Sequence, residues 1–148
     1  LTSVHYYRQV YFPVSIKRFP YRGGEVRNIV TSNSIHFCHC TSTDDEQFIV
    51  ADEIRAFENG LYLIDSLTGN LRVMCYPDSS WDSRGREYGW GAMVAHPHPS
   101  FSWDNRHVAF VTDFGRREKG GQICMIDTQP FKDALCKLRE ERPSESQG

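Results

Sequence analysis

The sequence predicts an all-β fold: a β-propeller, present as a partial ring of about two to three blades of four-stranded antiparallel sheet. Three observations point there. Apolar runs of six or seven residues alternate with turn residues along the chain, the pattern of short strands joined by tight connections. The chain also resembles itself: with Asp45 laid on Asp104, an offset of 59 residues, His39 meets His98, Ser42 meets Phe101 and Asp44 meets Trp103. Finally, Asp65 and Asp127 each close an apolar run before Ser or Thr at an offset of 62, so the difference is taken up in loops. Several antiparallel strands recurring at a long period are how a propeller blade reads in sequence.

Residues 1–148 read as a single segment. The lead-in, 1–35, is strand-rich and reads as a partial blade. The first full blade, 36–76, opens with HCTSTD (39–44) and continues with QFIVAD (47–52), GLYLIDS (60–66) and LRVMCY (71–76), broken at Asn59-Gly60 and Thr68-Gly69-Asn70. A long loop, SSWDSRGREYGWGAM (79–93), follows. The second blade, 94–140, opens with HPSFSW (98–103), continues with HVAFVTD (107–113), turns at Gly120-Gly121 and resumes with QICMIDT (122–128). After Pro130 the sequence gives a short amphipathic helix or a last strand, then a polar, disordered tail over 141–148. A blade cannot bury both faces alone, so two blades and a lead-in imply an incomplete ring. The expectation is the C-terminal piece of a larger protein, whose open edges favour self-association.

Composition narrows the function. Of 148 residues, 39% are hydrophobic and 13% aromatic, enough for a core. A net charge of −2 with scattered basic residues argues against nucleic acid and against an anionic membrane surface. No apolar run approaches a membrane span, and the first residues lack the order of a signal peptide. The five cysteines, Cys38, Cys40, Cys75, Cys124 and Cys136, are odd in number and mostly lie inside apolar patterns, so they read as reduced and mostly buried. His36-Phe37-Cys38-His39-Cys40 has the look of a zinc motif. Strand alternation, however, puts His36, Cys38 and Cys40 on one face and His39 on the other, and no second Cys/His pair follows at finger spacing.

The most informative stretch is AHPHPSFSWDNRHVAFVTDFGR (95–116). In a propeller the first strand of each blade lines the central channel, so HCTSTD and HPSFSW stand side by side and His39 faces His98. His96, two residues earlier, shares the face of His98. Pro97 and Pro99 stiffen the backbone and remove donors, which suits an edge strand. Three imidazoles from two strands can hold a transition metal with positions left open for substrate. His36 is the alternative to His39, although the repeat register favours His39. The plainer reading of each single histidine is a hydrogen bond to a turn at the start of a blade. His5 and His107 fall outside the register.

HPHPSFSWDNRHVAFVTDFGR together with HFCHCTSTDDEQFIVAD resembles the C-terminal part of the oligogalacturonate lyases, seven-bladed β-propeller enzymes that bind manganese in the channel. The H-P-H-P-S-F string carries the likeness, and the spacing of His39, Asp45 and Asp52 supports it, over about residues 33–128. The resemblance implies a cytoplasmic enzyme that cleaves short, often unsaturated oligogalacturonides by β-elimination. It implies Mn²⁺, or another divalent cation, held by His39, His96 and His98. The family completes its metal shell with a glutamine three residues before the first histidine of H-P-H; this chain has Met93 there, a poor ligand for Mn²⁺. The family's base histidine and substrate-binding arginine lie in blades this chain does not contain, so no catalytic base is assigned and the piece alone is expected to be inactive.

Arg84, Arg86 and Trp90, in the loop before H-P-H, are placed to bind a uronate carboxylate and to stack on a sugar ring, and Trp81 is a weaker counterpart. A solvated loop with one anchoring tryptophan is the plain alternative. Asp113 and Arg116 read as structural residues of a strand end and turn. The rival function is a non-catalytic propeller of the periplasmic-translocation (TolB) or peptidase-associated type, a protein-interaction platform that has no need of His96. A degenerate lyase homologue, suggested by Met93, is the third reading.

Overall fold

Short strands follow where turn residues such as Asp45 and Asp104 reverse the chain. The computed structural model describes residues 13–53, 60–77, 79, 95–114 and 121–141. These residues form three antiparallel sheets and one helix. β1 (Val14–Arg18) pairs with β2 (Arg27–Ser32). A four-stranded sheet runs in chain order through β3 (Phe37–Ser42), β4 (Phe48–Glu53), β5 (Leu61–Asp65) and β6 (Leu71–Cys75). The third sheet is β7 (Ser100–Phe101), β8 (His107–Thr112) and β9 (Gln122–Asp127), followed by α1 (Gln129–Glu141).

The middle sheet is apolar on both faces, as its sequence requires. Along β4 and β5 successive side chains point to opposite sides. Phe48, Val50, Leu61 and Leu63 join Val108, Phe110 and Leu135 in one core, while Ile49, Ala51, Tyr62 and Ile64 join Ile16 and Phe37 in another. The sheet is thus packed between its two neighbours, and the first strands of consecutive sheets, β3 and β7, touch. This is a partial β-propeller-like all-β architecture.

The self-similarity seen in the sequence reappears bond for bond. At the β3–β4 turn, Asp45 Oδ1 accepts from Thr43 Oγ1 and Gln47 N, and Phe48 N donates to Thr43 Oγ1. At the β7–β8 turn, Asp104 Oδ1 accepts from Ser102 Oγ and Arg106 N, and His107 N donates to Ser102 Oγ. Glu46 and Asn105 take the same left-handed conformation, with φ of 56° and 58°. The second offset holds too: Ser66 N bonds Gln47 O as Thr128 N bonds Arg106 O.

The end of the second unit differs from a simple repeat. Among the described residues the third sheet has three strands, and of the two sequence-based alternatives for the segment after Pro130 the structure has the helix. Asp127 Oδ1 accepts from Gln129 N and Pro130 sits in the first turn, where its missing N–H costs nothing. The helix lies on β5 and β6 through buried Leu135. Arg139 then reaches the fully buried Asp65 carboxylate with two bonds, 2.9 Å from Nε and 2.8 Å from Nη2. On the far side of the third sheet, Ile123 and Met125 of β9 are 77% and 62% exposed.

Candidate metal centre

The site forms where β3 and the segment leading into β7 meet, and Asp52 of β4 organises it. Asp52 is 1% exposed. Its Oδ1 accepts from the backbone N of His39 at 2.6 Å; its Oδ2 accepts from the backbone N of His98 at 3.1 Å and lies 3.1 Å from His39 Nδ1. One buried carboxylate therefore fixes two histidine-bearing segments that are 59 residues apart in sequence. Its counterpart in the second unit is Val111, at the same offset, so the carboxylate is specific to the first. With Nδ1 donating to the carboxylate, Nε2 is the acceptor nitrogen of the His39 ring.

The three histidine rings are in mutual contact. Ring centroids of His39 and His96 lie 4.3 Å apart, those of His39 and His98 3.8 Å, and those of His96 and His98 4.4 Å. The route to this contact differs from strand alternation. Residues 95–99 do not form a strand, and His98 has a φ of 41°, a left-handed conformation uncommon for a side-chain-bearing residue. Its backbone N is thereby turned onto Asp52, and the reversal brings its ring against both others. Pro97 O accepts from Val111 N, which pins the segment to β8.

A second departure concerns Cys38. Alternation would put it opposite His39, yet its Sγ lies 3.6 Å from His39 Nε2. The cause is an irregularity in the β3–β4 pairing between Phe37 and Cys40, which breaks the period of two. As a result the donor atoms of Cys38, His39 and His96 all lie within 4.8 Å of one another. Cys38 is the residue the sequence reasoning set aside; the H-F-C-H-C string was the signal, and the bulge was not legible in it. The cysteines, read from sequence as mostly buried, are half-buried in four cases, and Cys40 is exposed.

Electrostatics suit a cation. Burial, followed by the neighbouring His39, pushes the His96 imidazole down to about 4 against the pull of Asp52. Burial and His39 likewise lower His98, again opposed by Asp52. His96 is thus a neutral imidazole at physiological pH, the form that metal binding requires. His39 is half-buried and His98 exposed, so the cluster is reachable from solution. Donors of this kind fit a divalent transition metal. Arg84, Arg86, Trp90, Trp81, Met93, Arg116 and His5 lie outside the described residues. Asp113 is buried at the end of β8, and His107 belongs to the Asp104 turn.

No protein-family model matches the sequence, and no curated protein matches it. Solved structures do. The chain is similar to an oligogalacturonate lyase in complex with manganese, at a TM-score of 0.59 and 22% identity over 76% of this chain and 28% of the other. It is also similar to an oligogalacturonate lyase from Vibrio parahaemolyticus, at a TM-score of 0.51 and 27% identity over 70% of this chain and 26% of the other. The chain thus spans about a quarter of the length of these enzymes, and its partial propeller-like structure resembles theirs.

Proposed function

We propose that this chain carries the metal-binding centre of an oligogalacturonate lyase-like protein, which cleaves short, often unsaturated oligogalacturonides by metal-assisted β-elimination. The observation that carries this reading is the contact of three imidazole rings around one buried carboxylate, in a fold similar to lyases of which one holds manganese. His39, His96 and His98 would hold the cation, Mn²⁺ or another divalent ion. A divalent ion on the uronate carboxylate would stabilise the negative charge that develops when the adjacent proton leaves.

The protein's own groups supply the setting. Asp52 orients His39 through Nδ1 and holds the His98 backbone, so the imidazoles are placed before any ligand arrives. Burial keeps His96 unprotonated. Exposed His98 faces the solution from which an oligosaccharide would enter. Arg84, Arg86 and Trp90 remain proposed contacts to the uronate and the sugar ring, and the proton-accepting base is left to the remainder of the ring. The reading carries with it a cytoplasmic location.

The test is calorimetric titration of the chain with digalacturonate, with and without Mn²⁺, in wild type and His96→Ala. Cation-dependent binding that disappears in the variant supports the reading. Binding indifferent to the cation, or a cation that binds without changing digalacturonate affinity, contradicts it; an unaltered His96→Ala protein would point to the interaction-platform alternative.

A further inference from the structure

We infer that Cys38 is a metal ligand of this chain, so that the centre is a mixed thiolate–imidazole site that prefers Zn²⁺ or Co²⁺ to Mn²⁺. The inference rests on the reading of the histidine cluster as a metal centre and specifies its donor set. Three observations carry it. Cys38 Sγ, His39 and His96 place their donor atoms within 4.8 Å of one another. The sulfur faces Nε2 of His39, the nitrogen left available because Asp52 occupies Nδ1. The separation of 3.6 Å also matches an edge of a zinc tetrahedron: bonds of about 2.3 Å to sulfur and about 2.0–2.1 Å to nitrogen, opened to the tetrahedral angle, put the two ligand atoms about 3.6 Å apart.

This pair is a thiol–imidazole hydrogen bond, with the S–H donating to Nε2. A cation entering between them displaces that proton to solvent, and sulfur and nitrogen each donate a lone pair to the ion. The local backbone is built for the arrangement, since only the irregularity between Phe37 and Cys40 lets adjacent residues of one strand aim at one point. A soft thiolate in the donor set selects borderline-soft ions over manganese. The His98 ring lies against those of His39 and His96, but the donor atoms that converge are those of Cys38, His39 and His96, one thiolate and two imidazoles.

The experiment loads the purified, reduced chain with Co²⁺ and records its absorption spectrum, then measures Zn²⁺ and Mn²⁺ affinities by chelator competition, for wild type, Cys38→Ser and Cys40→Ser. A sulfur-to-cobalt charge-transfer band should accompany the visible cobalt bands in wild type and Cys40→Ser and be absent from Cys38→Ser. The preference for Zn²⁺ over Mn²⁺ should fall about tenfold or more in Cys38→Ser alone. Cobalt bound with visible bands but no charge-transfer band, or a Zn²⁺ to Mn²⁺ preference unchanged in Cys38→Ser, overturns the inference while leaving the histidine centre standing. Failure of wild type to bind any of the three ions overturns both. Circular dichroism of Cys38→Ser confirms that a lost band reflects a lost ligand and not a lost fold.

Discussion

Replacing Asp52 by Asn tests whether one carboxylate assembles the histidine cluster. The substitution preserves volume and removes the charge and one acceptor. Asp52 accepts from the His39 backbone at 2.6 Å on Oδ1, while the His98 backbone and His39 Nδ1 both reach Oδ2 at 3.1 Å. With the amide oxygen turned to the His39 backbone, the new NH₂ meets the His98 N–H donor to donor. His39 can recover its own bond only by moving its ring proton from Nδ1 to Nε2. The reverse orientation strands the shorter bond instead. One charge-assisted bond is therefore lost outright at a site 1% exposed, which costs about 2–3 kcal/mol. Urea unfolding should show a lower midpoint with an unchanged slope. Nitrogen NMR of the His39 ring should show the proton on Nε2, and metal affinity should drop about 10–100-fold, as expected when the group that orients a ligand is removed. A stability change below about 0.5 kcal/mol, with the ring proton still on Nδ1, would refute the assignment of Asp52 as the anchor.

Other consequences follow from the packing. Burial raises the Asp65 carboxyl, but the Arg139 fork, the backbone N–H of Leu67 and the Thr68 side chain outweigh it and hold it below the usual carboxylate range. Its folded value being lower than its unfolded value of about 3.9, the pair stabilises above about pH 4 and the contribution is lost as pH falls through the folded value; acid unfolding should show this loss, and Arg139→Ala should remove it at a cost of about 3 kcal/mol at pH 7. Leu63→Ala, at a fully buried position in the core shared by the second and third sheets and the helix, should lower stability by about 2–5 kcal/mol in the same urea assay. Gly69 has a φ of 73°, and a Cβ there would lie 2.5 Å from the Ile29 carbonyl oxygen; Gly69→Ala should destabilise by more than 1 kcal/mol, about the cost of the φ alone, because β2 must also shift.

The fold was legible where local chemistry repeats. The Asp45 and Asp104 turns are built from short-range hydrogen bonds of Ser, Thr and Asp, so an offset of 59 residues in sequence is the same offset in bonds. The doubly apolar β4 and β5 likewise declare themselves, since both faces are covered. What alternation could not supply was the geometry of the cluster. His98 reaches the others through a positive φ in a segment that is not a strand, and Cys38 joins them through a bulge; neither conformation is dictated by neighbouring residue types. The organising role of Asp52 depends on a cross-strand contact of 13 residues and another of 46, long-range facts that only the assembled sheets create. The choice of helix over strand after Pro130 was left open by the sequence, and it is settled by the Asp127 cap and by the docking of Leu135 and Arg139.

The central claim is that the clustered imidazoles bind a divalent cation, and metal stoichiometry tests it most directly. Reduced wild-type chain and His96→Ala, each dialysed against Mn²⁺ and against Zn²⁺ and then analysed for bound metal, should give one ion per wild-type chain and a large loss in the variant. An equal metal content in both proteins, or none in either, would contradict the account.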